Sequence, residues 1–184
     1  MKNDQIIIGF CGAKGSGKDT GFKLLDQLYP GEFKRIAFAD PIKNTICDIF
    51  NLSIDELNIL KRVDNIGLIN CNDNTIYGQL SGRDLVRKIG MMMRNYDENQ
   101  FNKYVDSLIT NNPNTNFVIT DVRFDGEVKL VHEHNGILIR VDRDDCPYDN
   151  HITERKITNV DYVIDNNHSL ADYQNQLVDI INNL

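Results

Sequence analysis

The chain has 184 residues, a formal net charge of −7 and a pI near 5.0. This length suits one compact domain with a sizeable core. The acidic balance argues against a nucleic-acid-binding surface, which would be basic, but not against a local cationic pocket. The first residues lack a signal-peptide layout and the apolar run after them is too short to span a membrane, so we expect a cytoplasmic protein. Its four cysteines have no metal-ligand spacing and are typical of reduced thiols.

The first predicted strand, at 6–11, leads into a glycine-rich segment that runs from Gly12 to Thr20. The segment fits a phosphate-binding loop, whose template is G-x-x-x-x-G-K followed by Ser or Thr, between a buried strand and a helix. Its glycines let backbone N–H groups converge on phosphate oxygens, and Lys18 would reach the β- and γ-phosphates of a nucleoside triphosphate. The alternative, a strand–helix turn with no ligand, is disfavoured because strand, glycines, lysine and helix occur in the required order.

Asp19 stands where the template has a Ser or Thr whose hydroxyl binds Mg²⁺. A carboxylate can hold Mg²⁺ directly or through water, but it adds negative charge beside a polyphosphate. It therefore requires the metal and the two nearby cations, Lys14 and Lys18. Thr20 follows one residue later, so we expect its hydroxyl to contact phosphate instead.

The next part of the chain contains a second predicted strand at 33–38 and a helix opened by Pro41. Residues 51–80 are rich in Asn, Asp and Ile. We expect a short helix at about 54–62 and then an irregular loop.

A helix is predicted from about Gly82 to Met93, and another at about 98–109. Projected at about 100° per residue, the first has an apolar side and, opposite it, a narrow basic stripe. The apolar side contains Leu85, Val86, Ile89, Met92 and Met93, and the stripe contains Arg83, Arg87, Gly90 and Arg94. Three guanidiniums beside a glycine could bind a phosphate and let it approach the backbone. The alternative is an ordinary solvated basic face.

A strand predicted at 117–120 is followed directly by Asp121, Val122 and Arg123. In doubly wound folds ligands bind outside the carboxyl ends of the strands, so these residues are expected to face the phosphate loop. Asp121 could hold Mg²⁺ through water, and Arg123 could bind the phosphate of a second substrate. Glu127 lies one helical turn on, on the same side as Arg123. The alternative is a helix-capping aspartate and an i, i+4 ion pair.

Gly136 is predicted to stop the helix that follows, and strands are predicted at 137–141 and 160–164 before a closing helix at 170–184.

A charged segment between the last two strands contains Arg143, Arg155 and Lys156. Nucleotide kinases keep a closing lid at this place, and closure would exclude water from the phosphoryl group. A plain solvated loop is the alternative.

The five predicted strands alternate with helices, which is typical of a three-layer α/β/α fold with a five-stranded parallel sheet. We find no repeat and no linker, and predict one domain over residues 1–184. Its parts would be a core of 1–40 and 115–184, a helical region of about 41–112, and a short lid of about 143–158.

Five sequence blocks in this order resemble the deoxynucleoside monophosphate kinases of phages and large DNA viruses. The blocks are Gly-Lys-Asp-Thr at 17–20, Phe-Ala-Asp-Pro-Ile-Lys at 38–43, Arg-Asp-Leu-Val-Arg-Lys-Ile-Gly at 83–90, Thr-Asp-Val-Arg at 120–123 with Glu127, and His-Ile-Thr-Glu at 151–154. The resemblance runs from about Ile6 to the end and is weakest at 51–80. It implies a P-loop NTPase fold of the nucleoside monophosphate kinase type. Animal-type phosphomevalonate kinases share the Gly-Lys-Asp loop and are similar near the C-terminus.

The resemblance implies that ATP is the phosphoryl donor and Mg²⁺ the metal, with Asp19 and Asp121 at the metal. The residues that would bind ATP are Gly12, Lys14, Gly15, Gly17, Lys18, Asp19 and Thr20. Those that the resemblance places at a (deoxy)nucleoside monophosphate are Lys43, Arg83, Phe101, Arg123 and Glu127, with Phe101 near an aromatic that the family uses beside the base. The basic stripe of the helix adds Arg87 and Arg94 as candidates. Those that would promote transfer are Lys18, Asp121, Arg123 and Arg143.

Two departures from the family pattern lie near the expected acceptor. The family often has Gln where Arg87 stands and Gly-Thr where Gly90-Met91 stands, so base preference cannot be carried over. The family insertion before the arginine helix is also shorter here. Family members can dimerise, so the resemblance also allows a homodimer, and a viral source would place the protein in the host cytoplasm.

We therefore predict phosphoryl transfer from ATP to a (deoxy)nucleoside monophosphate. The acceptor is a phosphate oxygen, largely ionised at neutral pH, so no strong general base is needed. Catalysis would consist of positioning and charge neutralisation. The alternatives are a kinase of a phosphorylated non-nucleotide such as phosphomevalonate, and a non-catalytic ATP-binding regulatory module.

Overall fold

The structure is a computed structural model, and it describes residues 5–61, 66–69, 76–148 and 155–184. The predicted block at 151–154 and part of the predicted lid lie outside these residues. No helix within the described ranges is both long enough and apolar enough to cross a membrane.

Helices and strands alternate along most of the described chain. In chain order they are β1 (Ile7–Cys11), α1 (Lys18–Leu28), β2 (Phe33–Ile36), α2 (Asp40–Phe50), α3 (Ile54–Leu60), β3 (Ile66–Ile69), β4 (Ile76–Leu80), α4 (Gly82–Tyr96), α5 (Gln100–Thr110), β5 (Asn116–Ile119), α6 (Asp125–Glu133), β6 (Ile137–Asp142), β7 (Tyr162–Asp165) and α7 (Leu170–Ile181).

Five of the strands form one parallel sheet in the order β2-β5-β1-β6-β7. The central strand, β1, is buried along its whole length, which explains why its sequence is an unbroken apolar run. Its register sets Gly9 opposite Ile119 of β5 and Leu138 of β6.

Helices cover both faces of this sheet. On one face, strand residues such as Phe10 and Ile139 are buried in a cluster with Leu25 of α1 and Tyr173 of α7. On the other face α6 approaches closely, since a Cβ added at Gly9 would lie 3.1 Å from a methyl of Val131. The predicted three-layer α/β/α architecture with a five-stranded parallel sheet is confirmed.

The chain divides into two compact units. The sheet unit comprises Met1–Phe38 and Asn102–Leu184, and the helical unit comprises Ala39–Phe101. The helical unit contains α2, α3, α4 and an antiparallel pair, β3 with β4. It ends earlier than the predicted helical region of 41–112, because most of α5 groups with the sheet.

Two local predictions were wrong. The loop expected after α3 includes the strands β3 and β4, which sequence reasoning missed because Gly67 and Gly78 interrupt their short apolar runs. Gly136 was expected to stop α6, but Asn135 takes the left-handed conformation at its end, with φ 52°. Gly136 instead allows close packing, since a Cβ there would lie 2.8 Å from the Ile7 Cβ.

Candidate active site

The phosphate loop joins β1 to α1 at the carboxyl edge of the sheet. Gly12, Gly15 and Gly17 have φ values of 136°, 82° and 111°, which side-chain-bearing residues rarely adopt. A Cβ at Gly12 would also lie 2.4 Å from the Val141 carbonyl oxygen. The spacing of the glycines is therefore a backbone requirement of the loop.

Lys18, the first residue of α1, is buried in this loop with 9% of its surface exposed. Its Nζ donates to the carbonyl oxygens of Gly12 at 2.8 Å and Ala13 at 2.6 Å. The ammonium is thus held on the concave, backbone-lined part of the loop. Lys14 and Asp19 are exposed, and Asp19 lies in the first turn of α1, where the helix dipole favours an anion.

Asp121 lies just past the end of β5, the strand paired with β1. Its Oδ1 accepts a hydrogen bond from the Phe38 backbone N–H at 2.8 Å. The carboxyl ends of adjacent parallel strands share one edge of a sheet, so Asp121 and the phosphate loop lie along the same edge. That Asp121 and the loop share a metal site stays a prediction.

Glu127 is almost fully buried, with 1% of its surface exposed. Its Oε2 accepts from the backbone N–H groups of Arg123 at 2.7 Å and Phe124 at 3.2 Å. The carboxylate therefore accepts hydrogen bonds from two backbone amides at the start of α6. This contact fixes the backbone that carries Arg123. That Glu127 and Arg123 face the acceptor stays a prediction.

The strand β6 ends in a charged pair beside the phosphate loop. Asp142 accepts from Arg140 Nε at 3.0 Å, and this hydrogen bonding raises the pKa of the Arg140 guanidinium. Cys11, at the end of β1, is fully buried, and burial raises the pKa of its thiol to about 12. Cys11 is therefore a neutral packing residue and not a nucleophile.

The start of the predicted lid, residues 143–148, packs beside the phosphate loop. A Cβ added at Gly15 would lie 3.2 Å from the Cys146 sulfur. Burial raises the pKa of the Tyr148 phenol to about 12. Arg143 is exposed, and its predicted part in transfer remains untested. Further on, Arg155 forms an ion pair with Asp125 at the start of α6.

In the helical unit, α4 carries the predicted arginine stripe. The helix begins with a capping box in which the Ser81 hydroxyl and the Asp84 carboxylate exchange hydrogen bonds with backbone N–H groups. Gly90 was expected to let a phosphate approach the backbone, but it is buried and its Cα faces Ile42 of α2. On the side predicted to be apolar, Met92 is 62% exposed. The glycine of the stripe is thus part of a helix–helix contact.

Three other residues predicted to bind substrate, Lys43, Arg94 and Phe101, make local contacts within the helical unit. Lys43 Nζ lies 3.1 Å from Asp40 Oδ1 within α2. The Arg94 guanidinium carbon lies 4.8 Å from the centre of the Phe101 ring, a cation–π contact that joins two predicted substrate residues. Phe101 is only 2% exposed, so the side chains that cover its ring must move before a base can stack on it. Its role beside the base stays a prediction.

Sequence reasoning missed two residues that contact the phosphate loop from the far end of the chain. Asn166 Nδ2 donates to the Ser16 carbonyl at 2.7 Å, and the Tyr173 hydroxyl donates to the Gly17 carbonyl at 3.1 Å. Asn166 follows β7 directly, and the rule that sites form at strand carboxyl ends could have singled it out. Nothing in the sequence distinguishes Tyr173 from an ordinary core residue.

Comparison with known proteins gives the family of the chain. Residues 77–177 match the family model described as deoxynucleotide monophosphate kinase. A protein of Acanthamoeba polyphaga mimivirus named "Putative deoxynucleotide monophosphate kinase" is 29% identical over 192 aligned residues, covering 97% of this chain and 97% of that protein.

Two solved kinase structures show a weaker likeness. An APS kinase mutant from Mycobacterium tuberculosis has 10% identity and a TM-score of 0.44 over 97% of this chain and 99% of that one. A dephospho-CoA kinase from Campylobacter jejuni has 16% identity and a TM-score of 0.47 over 96% of each chain. At these TM-scores neither says anything about the activity of this protein. The family model, by contrast, matches more than half of the chain, which therefore belongs to the deoxynucleotide monophosphate kinase family, as its motifs predicted.

Proposed function

We propose that this protein transfers the γ-phosphoryl group of ATP to a deoxynucleoside monophosphate and releases ADP and the diphosphate. The observation that carries the proposal is the phosphate loop with Lys18 held inside it and Asp121 at the end of the neighbouring strand. The family match begins at residue 77, well after this loop. The loop and the family match are therefore independent supports from different segments of the chain.

On the donor side, the loop offers backbone N–H groups and the Lys18 ammonium to the phosphates of ATP. Charge-assisted hydrogen bonds to phosphate oxygens are about twice as strong as neutral ones. Lys18 would exchange the Gly12 and Ala13 carbonyls for phosphate oxygens that gain charge during transfer. Such an interaction lowers the barrier only to the extent that it strengthens in the transition state.

The donor set at this edge of the sheet fits Mg²⁺. The ion takes oxygen ligands and is usually held by one or two carboxylates together with substrate phosphates and water. Asp121 and Asp19 supply two carboxylates at the edge where the phosphate loop lies. Bound Mg²⁺ would neutralise charge on the donor phosphates.

The acceptor phosphate would be bound by arginines. Guanidinium groups bind phosphate through two parallel hydrogen bonds, and the chain offers Arg83, Arg87 and Arg94 on one helix and Arg123 after β5. The acceptor oxygen is already ionised at neutral pH, so these residues need only to orient it and offset its charge. The deoxyribose preference comes from the family alone.

The test is an ATP-coupled assay of ADP release across deoxynucleoside monophosphates, including dTMP, dGMP, dCMP, dAMP and modified dCMPs, their ribose forms, and phosphomevalonate. We expect ADP release with at least one deoxynucleotide, and chromatography should identify the diphosphate product. Lys18→Ala should abolish most of this turnover. Phosphomevalonate as the only acceptor would reassign the substrate, and ATP binding without acceptor-dependent ADP release would indicate a non-catalytic module.

A further inference from the structure

We propose that Asn166 and Tyr173 are positioning residues that hold the phosphate loop in the conformation that binds the phosphates of the donor. The inference rests on the proposed function, because it concerns the same donor site. Neither residue lies in the loop itself. Both come from the C-terminal β7–α7 region and reach the loop across the sheet unit.

Asn166 links the loop to the end of β6. Its backbone N–H donates to the Asp142 carbonyl at 2.9 Å, which fixes the residue beside the sheet. Its side-chain Nδ2 donates to the Ser16 carbonyl at 2.7 Å. The contact is close enough that a Cβ at Gly17 would lie 2.5 Å from the same Nδ2. A glycine at this position is thus required both by its backbone conformation and by the approach of Asn166.

Tyr173 makes the adjacent contact from α7. Its side chain is fully buried, and its hydroxyl donates to the Gly17 carbonyl at 3.1 Å. Burial raises the pKa of this phenol, so it keeps its proton and remains a donor throughout the physiological range. Gly21 makes room for it, because a Cβ there would lie 2.5 Å from the Tyr173 oxygen.

The two contacts orient the peptide groups that face the phosphates. In a planar trans peptide the carbonyl oxygen and the following N–H point in opposite directions. Holding the Ser16 and Gly17 oxygens therefore aims the N–H groups of Gly17 and Lys18 the other way. These N–H groups lie at the start of α1, where no intrahelical acceptor exists and phosphate oxygens are the natural partners.

Pre-orientation matters here because the loop is rich in glycine. Gly17 has φ 111°, and glycine has the largest range of alternative backbone conformations. Without the two side-chain donors, phosphate binding would have to order these peptides itself. The loss would appear as weaker binding of any ligand that places phosphates in the loop.

The experiment measures dissociation constants of the full chain for ATP and for inorganic tripolyphosphate, each with Mg²⁺, by calorimetry. We expect Asn166→Ala to weaken both by about fivefold to tenfold, equivalent to about 1–1.4 kcal/mol. Tyr173→Phe keeps the ring and should weaken both by about two- to threefold, since the Gly17 oxygen also accepts from the Gly21 N–H at 2.9 Å. The KM of the nucleotide acceptor at saturating ATP should not change.

Gln176→Ala is the matched control. Gln176 also bonds backbone groups at the β7–α7 junction, with its Nε2 2.9 Å from the Asp165 carbonyl, but its hydrogen bonds run to Asp165 and Asp172 and not to the phosphate loop. It should lower thermal stability and leave both dissociation constants unchanged. If Asn166→Ala fails to fold, Asn166→Leu removes the same donor while keeping a branched side chain of similar size and adding no charge.

Two results would overturn the proposal. Weaker ATP binding with unchanged tripolyphosphate binding would mean that Asn166 contacts the nucleoside. Unchanged binding of both probes, with a loss of stability like that of Gln176→Ala, would mean that the contacts are purely structural. A wild-type protein that binds both probes but phosphorylates no nucleotide refutes the proposed function, while the variant comparison still decides the role of Asn166.

Discussion

Replacing Glu127 by Ala should destabilise the protein strongly, because the Glu127 carboxylate serves two backbone amides inside the fold. Its Oε2 accepts from Arg123 N at 2.7 Å and Phe124 N at 3.2 Å, and the residue is 1% exposed. Water cannot easily take the place of a carboxylate at such a buried position. Both amides at the start of α6 would then lose the hydrogen bonds that they donate to this carboxylate.

The size of the effect follows from these two contacts. A hydrogen bond to a charged group contributes about 1.5–3 kcal/mol, so the loss of both should lower the free energy of unfolding by about 3–6 kcal/mol. For a chain of this size each kcal/mol lowers Tm by about 2–4 °C, so the melting temperature should fall by roughly 6–24 °C. Glu127→Gln keeps a neutral acceptor and should lose about half as much.

Urea unfolding followed by circular dichroism measures the free energy of unfolding, and calorimetry measures Tm. The matched control is Glu56→Ala, which removes a carboxylate that caps the first turn of α3 but is exposed to water. Its effect should be much smaller. A loss below about 1 kcal/mol in Glu127→Ala would refute the reasoning, because it is less than one charged hydrogen bond contributes.

Two further predictions concern charge. Asp121→Asn keeps an oxygen acceptor for the Phe38 N–H, so the free energy of unfolding should change by less than about 1 kcal/mol. Because the variant loses a carboxylate proposed to hold Mg²⁺, the Mg²⁺ concentration for half-maximal activity should rise by about tenfold or more. A Mg²⁺ titration of activity measures this. Stability should also fall in acid: hydrogen bonds from the Ser53 N–H and from the Ser81 and Ser169 hydroxyls lower the pKa values of Glu56, Asp84 and Asp172. The unfolded chain then binds protons first as pH drops below about 4.5, and unfolding curves of a Ser81→Ala/Ser169→Ala variant, which lacks the two hydroxyl donors, should depend less on pH in this range.

The phosphate loop and the sheet could be predicted because their requirements are local. Positive φ values demand glycine at positions 12, 15 and 17, and a strand buried on both faces is apolar throughout, as β1 is. Each requirement restricts the residue types at neighbouring positions of the sequence. The succession of these five strands and their helices along the chain was predicted from such local features, and the structure agrees with it.

Contacts between distant segments could not be predicted in the same way. Asn166 and Tyr173 contact the phosphate loop although about 150 residues of chain separate them from it, and a single sequence contains no signal for such a contact. The i, i+4 spacing of Arg123 and Glu127 suggested that the two residues are close, but it did not predict that the Glu127 carboxylate accepts a hydrogen bond from the Arg123 backbone N–H. Spacing indicates which residues are near one another but not which of their atoms meet.

The helix α4 shows the same limit and allows a sharp test of it. Helical periodicity identified two stripes but not which one packs, and both Gly82 and Gly90 are buried against neighbouring helices of the helical unit. A Cβ at Gly90 would lie 3.2 Å from the Ile42 Cδ1, the end of a flexible side chain. A Cβ at Gly82 would lie 2.9 Å from the Leu60 carbonyl carbon, which is backbone and cannot yield.

The same substitution at these two glycines should therefore have opposite effects. Gly90→Ala gains helix propensity and should raise the free energy of unfolding by up to about 1 kcal/mol, since Ile42 can shift. Gly82→Ala stands at the first helical position, gains little propensity, and should lower it by about 1–3 kcal/mol through overpacking. Chemical unfolding of both variants measures the difference. If Gly90 instead has to admit the acceptor phosphate, Gly90→Ala would raise the acceptor KM while leaving the fold intact, which would contradict the packing role inferred from its contact with Ile42.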